Sequence, residues 1–305
     1  MAPEQRYTFI LNPAADKGRA ASKAALLRRS LGLFGHAAEI ALTRYPGHAV
    51  ELAREAAAPG STLIACGGDG TLNEVLNAVV GVPVRVGVFP AGSANDFLKT
   101  LRPSSPGIEE LLAGLATSGS RRIDLGRVRF ADGSSRYFVN SIGIGLTGRI
   151  ASAVKAATWL RGELSYAYAL ISVFLGYAPV KMHIEIDTPE GCIELHEPLF
   201  AFSVSNGAVE GGKFRIAPTA DPQDGLLDVC ILKAIPNWRF PGYVLKYLKG
   251  TQVGDPEVLY CKASSIRIEL PAVDAMHMDG EVFEQVCGRL EITAEPDAVD
   301  MLCDP

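Results

Sequence analysis

A strand that breaks into glycines and resumes at once as a helix constrains this chain more than any other stretch. It reads Cys66-Gly-Gly-Asp-Gly-Thr-Leu-Asn-Glu-Val-Leu-Asn77 and follows the apolar run Ser61-Thr-Leu-Ile-Ala-Cys66. The run has the composition of a buried strand, and Leu72, Val75, Leu76 and Val79 then recur at helical spacing. Strand, glycine turn and helix start together aim backbone N–H groups and a helix N-terminus at an anion. Glycine lets the backbone approach a phosphate closely and permits a positive φ. Asp69 is the odd member, since a bare carboxylate repels phosphate. It suits a divalent cation lying between the two, a substrate hydroxyl, or a loop that has to be held. A tight turn with a capping acid is the plain alternative, and the full string between strand and helix favours phosphate binding over it.

Around this stretch the first part of the chain alternates regularly. Strands are expected at 7–11, 39–43, 61–66 and 84–89, with helices at about 18–31, 47–57, 69–79 and 108–116. Such alternation implies a parallel sheet wound by right-handed crossovers, with ligands beyond the carboxyl ends of the strands. Asn12, Thr43, Gly67 and Ser93 fall at or just after four different strand ends. Polar motifs therefore converge on one edge of the sheet.

After about Arg121 the texture changes. Short alternating runs at 127–130, 135–140, 183–187, 199–204, 227–232 and 265–270 read as strands separated by turns such as Ala131-Asp-Gly-Ser and Thr188-Pro-Glu-Gly. Helical interruptions are expected at 147–176 and 238–248. The fold expected is an α/β nucleotide-binding domain with a Rossmann-like parallel sheet, followed by a mainly β, sandwich-like domain. The first would span 1–125 plus about 290–305, and the second 126–289.

Bulk properties narrow the function classes. The chain has 305 residues, enough for two cores, and 48% apolar with 21% charged residues is ordinary for a globular protein. A net charge of −5 with no basic block argues against nucleic acid as a partner. The six cysteines are scattered without a Cys-x-x-Cys pair, which suits reduced thiols in the cytoplasm. No signal peptide is legible, and the longest apolar run, 166–178, is shorter than a bilayer span. A soluble protein with at most peripheral membrane contact is expected.

Four further constellations have two readings each. Gly143-Ile-Gly145-Leu-Thr-Gly148, with Glu163 downstream, is a literal dinucleotide fingerprint in the wrong context, so a turn at the inter-domain cleft is the better reading. The aromatic and aliphatic stretch 158–177 is either a helix packing the two domains together or an apolar wall for a lipid tail. Asp221, Asp224 and Asp228 surround a turn that suits either a hard cation or a plain Asp-Gly hairpin. Asp279 and Glu281 flank Gly280 in a turn after a strand, where either acid could take a proton from a hydroxyl.

Taken together, these motifs resemble the diacylglycerol kinase catalytic family of lipid kinases, especially its soluble bacterial members. The resemblance rests on Asn12-Pro13, Gly67-Gly-Asp-Gly-Thr-Leu-Asn73, Gly92-Ser-Ala-Asn-Asp96-Phe, Gly143-Ile-Gly145, Asp224-Gly-Leu-Leu-Asp228 and Asp279-Gly-Glu281. The Gly-Gly-Asp-Gly-Thr string is shared with NAD kinases and phosphofructokinases, whereas the later pieces point to the lipid branch. The resemblance implies that ATP and lipid meet in a cleft between the domains. It implies ATP contacts from Asn12, Lys17, Thr43, Gly67, Gly68, Asp69, Gly70, Thr71, Leu72, Asn73 and Ser93, with Asp69 and Asp96 organising Mg²⁺ and the phosphates. It further implies a structural magnesium at Asp221, Asp224 and the Leu226 carbonyl, and a base at Asp279 or Glu281, with Glu281 preferred. Two positions depart from the family pattern: Asp16 stands in the first loop, and Ser93 replaces a commoner threonine.

The expected activity is ATP-dependent phosphorylation of a membrane lipid such as diacylglycerol, a step of phospholipid metabolism. Rival readings are an NAD-kinase-like enzyme with a soluble acceptor, a non-catalytic lipid or nucleotide sensor, and an oxidoreductase using Gly143 to Gly148. The acceptor lipid and the oligomeric state, a homodimer included, are left open by the sequence.

Overall fold

Apolar runs too short for helices, each followed by a glycine or proline turn, become the inner strands of the first unit. In the computed structural model, the described residues are 6–34, 38–102, 108–117, 119–157, 159 and 163–303. The chain divides into two units, Met1–Asp124 with Asp297–Pro305, and Leu125–Pro296.

In the first unit, β1 (Tyr7–Leu11), α1 (Ala20–Ser30), β2 (Ala38–Leu42), α2 (His48–Ala56), β3 (Thr62–Gly67), α3 (Asp69–Val79) and β4 (Arg85–Pro90) alternate. They are followed by α4 (Asp96–Leu101), α5 (Ile108–Thr117) and β5 (Ser120–Arg129), which leads into the second unit. β3 pairs in parallel with β1 and β4, and β1 pairs in parallel with β2. Residues of β1 and β3 are buried throughout, as strands covered on both faces must be. Phe9, Leu11, Ile64, Cys66 and Phe89 form a core with Ala20, Ala24 and Leu27 of α1.

The second unit contains β6 (Ser135–Phe138), β7 (Ser141–Gly145), α6 (Leu146–Ala156), α7 (Glu163–Phe174), β8 (Val180–Lys181), β9 (His183–Thr188) and β10 (Gly191–Leu195). β11 (Pro198–Ser205), β12 (Leu227–Lys233), α8 (Phe240–Lys249), β13 (Val258–Ala263), β14 (Ser265–Met278) and β15 (Glu281–Leu302) follow. Pairing in this unit is antiparallel, in the order β13-β12-β11-β7-β14-β15, with β9 and β10 joined to the first part of β14. Alternating residues from these strands, among them Ile142, Ile144, Ile184, Ile186, Phe202, Val204, Ile266, Ile268, Leu290 and Ile292, fill one core.

Two sequence expectations are corrected here. The strand expected at 265–270 continues to Met278, because a register shift between Leu270 and Asp274 absorbs Pro271 without ending the strand. The helical interruption at 147–176 is two helices, α6 and α7, rather than one. The chain returns to the first unit at Asp297, where Asp300 and Met301 pair in parallel with Arg85 and Val86 of β4.

Candidate functional site

Three loops of the first unit are tied to one another at the carboxyl ends of β1, β3 and β4. The Asn12 backbone N–H donates to the Cys66 carbonyl at 3.0 Å, and Asn12 Nδ2 reaches Thr71 Oγ1 at 3.3 Å. Asn12 Oδ1 accepts from the Ala14 N–H at 3.0 Å, closing the first loop on itself. Thr43 is buried and its N–H donates to the Leu11 carbonyl. The N–H groups of Ala91 and Gly92 donate to the Gly67 carbonyl at 2.9 and 2.8 Å. A Cβ on Gly92 would lie 2.3 Å from the Gly68 Cα, and one on Gly67 would lie 2.3 Å from Thr71 Oγ1. Glycine is thus required at 92 because two backbones pack against each other, and at 67 because the Thr71 side chain fills the space. The positive φ that the sequence permitted is not adopted at Gly67, Gly68 or Gly70. Gly68 is the cap residue of α3 and offers no side chain to the helix N-terminus.

Asp69 makes the contacts that one of its sequence readings, a loop that has to be held, calls for. Its two carboxylate oxygens accept the N–H groups of Asp96 and Phe97 at 3.0 and 3.1 Å, so it holds the start of α4. Asn95, in a left-handed conformation, donates from Nδ2 to the Gly92 carbonyl. Asp96 is buried and pairs with Lys99 at 2.8 Å. Asp16 accepts from Ser93 Oγ at 2.9 Å, so the two residues that depart from the family pattern bond to each other and link the first loop to the loop after β4. Thr71, Leu72 and Asn73 are buried along α3, and Gly70 is exposed. The side chain of Lys17 lies outside the described residues. Sequence reasoning missed Glu74, whose carboxylate accepts the Gly47 and Ala49 N–H groups, both at 3.1 Å, and so caps α2. The pairing joins residues from separate helices and leaves no local signature.

In the second unit the two acids of the β14–β15 turn have different surroundings. Asp279 is buried at positive φ and accepts three backbone N–H groups, from Val139 at 2.7 Å, Asn140 at 2.9 Å and Ser141 at 3.0 Å. This carboxylate fixes the turn to the start of β7. Glu281 is half exposed, and its Oε2 pairs with Arg136 at 2.8 Å. A buried pair not anticipated from the sequence lies near the end of β14, where His277 Nε2 is 2.9 Å from Glu210 Oε1. Burial opposes the charge on Glu210, yet the imidazole beside it holds the carboxyl below its ordinary range.

At the aspartate turn, Asp221 Oδ1 accepts the Gln223 N–H and Asp224 Oδ1 accepts the Leu226 N–H. The remaining oxygen of Asp224 lies 2.5 Å from Lys262 Nζ, which also reaches Asp228 at 3.1 Å. Burial opposes the Lys262 charge, but these two carboxylates raise its pKa. An ammonium therefore already supplies positive charge to the turn, and the fit of the donors Asp221, Asp224 and Leu226 to a magnesium ion is only partial. No step of the chemistry is routed through it.

Packing explains Gly143 and Gly148, and Gly145 stands at a positive φ. A Cβ on Gly143 would meet His277 Nε2 and Thr147 Oγ1 at 2.3 Å each, and one on Gly148 would meet the Ala275 carbonyl oxygen at 2.1 Å. The stretch around α7 has two apolar faces. Leu170, Val173 and Phe174 pack with Phe200 and Phe240 inside the second unit, and the Phe174 and Phe240 rings stack 4.6 Å apart. Leu164, Tyr168, Ile171 and Leu175 form the opposite, exposed stripe, and Trp159 packs edge-on to Tyr168.

The chain has an N-terminal nucleotide-binding-like α/β unit followed by a β-sandwich-like unit, and the matches of each part agree with that division. Residues 6–128 match the diacylglycerol kinase catalytic domain, and residues 140–303 match the YegS C-terminal NAD kinase beta sandwich-like domain. The chain belongs to this diacylglycerol kinase and YegS-like family of lipid kinases. It is 28% identical over 284 residues to the diacylglycerol kinase of Bacillus subtilis, covering 91% of this chain and 90% of the relative. It is 26% identical over 255 residues to a diacylglycerol kinase of Mycobacterium tuberculosis, covering 82% and 79%. In fold it superposes on a crystal structure of a diacylglycerol kinase from Bacillus anthracis, with a TM-score of 0.75, 22% identity and coverage of 100% and 99%.

Proposed function

We propose that this protein transfers the γ-phosphoryl group of ATP to a hydroxyl of a membrane lipid such as diacylglycerol. The observation that carries the reading is the mutual packing of the loops after β3 and β4. Gly68 and Gly92 are in backbone contact, with Asn12, Thr71 and Asp69 tying the surrounding chain in place. Backbone so closely packed, at the start of α3, presents N–H groups in fixed positions to the phosphates. Ser93 adds a hydroxyl, and Asp69 and Asp96 are carboxylates beside these loops that would hold the Mg²⁺ carried by ATP. When bound, Mg²⁺ neutralises charge on the phosphates. Asp69 keeps the start of α4 in place while doing so.

Glu281 takes the proton from the lipid hydroxyl as its oxygen bonds to the γ-phosphorus, and ADP leaves. Its partial exposure leaves it accessible to a substrate, and Arg136 fixes its orientation. Asp279, with three N–H groups on its oxygens, is a positioning residue for that turn. The aspartate turn around Lys262 is a structural element in this reading.

Lipid is reached by peripheral contact. Among the described residues, no helix is long and apolar enough to cross a membrane. The exposed face of α7, with Trp159 and Tyr168 beside Leu164, Ile171 and Leu175, has the aromatic and aliphatic make-up of an interfacial helix. ATP binding followed by titration calorimetry, with wild type and Gly92→Ala, tests the nucleotide half of the reading. Binding is expected in the wild type and lost in the variant. Offering soluble nucleotides beside lipids as acceptors tests the other half, and phosphorylation of NAD in place of lipid would overturn it.

A further inference from the structure

The β9–β10 hairpin carries a cluster that the phosphotransfer reading does not use. The register sets Glu194 opposite Glu185 and Leu195 opposite Ile184, which brings His196 across from His183 at the open end of the hairpin. Ile184 and Ile186 point into the core, so His183, Glu185, Glu194 and His196 share the outer face. One carboxylate oxygen, Glu194 Oε1, lies 3.2 Å from His183 Nε2 and 2.8 Å from His196 Nε2. The two rings are 4.1 Å apart between centroids and tilted by 31°. The three donor atoms all lie within 4.8 Å of one another. Glu185 Oε1 stands 3.8 Å from His183 Nε2, while its other oxygen is taken by Arg267 at 2.7 Å.

We propose that His183, Glu194 and His196 form a binding site for a borderline first-row divalent cation, Zn²⁺ being the probe of choice. Two imidazole nitrogens and one carboxylate oxygen are a donor set that such cations favour, whereas Mg²⁺ demands oxygen ligands. In the metal-free protein Glu194 Oε1 faces both imidazole nitrogens, and sharing it requires a proton on each facing nitrogen. A cation replaces those protons and draws the donors to bond lengths of about 2.0–2.2 Å. The side chains are about a third to two thirds exposed, so small rotations suffice. Among the described residues β10 pairs only with β9, so a cation here pins this outer strand to its neighbour. The site is separate in chemistry from the magnesium of the nucleotide, and it stabilises the folded chain in proportion to RT ln(1 + [M]/Kd).

The test is a Zn²⁺ titration of the full chain against a chromophoric chelator, with the exposed thiols removed as Cys192→Ser and Cys287→Ser. One equivalent should bind, at least tenfold more weakly in His183→Ala and in His196→Ala, with no displacement by millimolar Mg²⁺. Circular dichroism of each variant verifies the fold, and histidine ring proton NMR should show only these two imidazoles shifting with Zn²⁺. Absence of binding in the wild type, wild-type affinity in either variant, or displacement by Mg²⁺ would overturn the proposal. None of these outcomes depends on lipid kinase activity.

Discussion

Asp69 gathers two backbone N–H groups from a loop 27 and 28 residues further along the chain. Asp69→Ala should therefore destabilise the first unit by about 1–2 kcal/mol, read by denaturant unfolding, through loss of this cap. It should also weaken ATP binding, because the loop carrying Ser93 loses its anchor. Gly92→Ala acts differently. Its Cβ would enter the space of the Gly68 Cα, so the two loops must separate, and nucleotide binding should fall more than stability does. The acids of the last turn divide in the same way. Glu281→Gln keeps a side chain able to stay near Arg136, and it should retain ATP binding with turnover down about 100-fold or more. Asp279→Asn places an amide donor among three N–H donors and should cost stability as well as activity, measurable as a lowered unfolding midpoint. Unchanged turnover in Glu281→Gln would remove it from the role of base.

Among the elements, α8 supplies a pH-dependent prediction. Asp255 accepts from the Tyr243 hydroxyl at 2.8 Å and pairs with Lys246, both on this helix. Burial works against the Asp255 charge, but the Lys246 and backbone contacts prevail and lower its pKa from 3.8 to about 2. A carboxyl with a depressed folded pKa stabilises the fold above its unfolded pKa, and that contribution is lost as pH falls towards the folded value. The anchorage of α8 should thus hold down to about pH 4 and loosen between there and pH 2, followed by fluorescence of the exposed Trp238 at its start. Asp255→Asn should lack this acid step. Legibility varied among elements for physical reasons. The strands of the first unit were readable because a buried parallel sheet needs unbroken apolar runs. The run expected at 265–270 stops short of the whole of β14, because alternation breaks at Pro271 and only the partner strand shows the bulge that carries the strand on. The contacts of Asp69 and of the aspartate turn come from distant segments, so local pattern raises the alternatives for both but shows none of the partners, Lys262 among them.

For the molecule as a whole, motif order along the chain carried the family assignment, because glycines and acids at strand ends are fixed by backbone geometry. The buried Glu210–His277 pair and the Glu74 cap were not legible, since neither has a spacing signature. The exposed stripe of α7 was half legible: its apolar composition was evident, but only packing separates Leu170 and Phe174 inside from Leu164 and Ile171 outside. Replacing Leu164 and Ile171 together by glutamate should leave the unfolding midpoint nearly unchanged and reduce sedimentation with lipid vesicles several-fold. Retained vesicle binding would place the membrane contact elsewhere.

The central claim is phosphoryl transfer from ATP to a lipid hydroxyl, and one assay meets it directly. The protein is incubated with Mg²⁺, γ-labelled ATP and diacylglycerol in mixed micelles beside a panel of other hydroxyl lipids, and the organic phase is then counted. Label should appear in one lipid class with the wild type, and fall to background with Gly92→Ala and Glu281→Gln. Absence of label from every lipid, with ATP still bound by the wild type, would contradict the account.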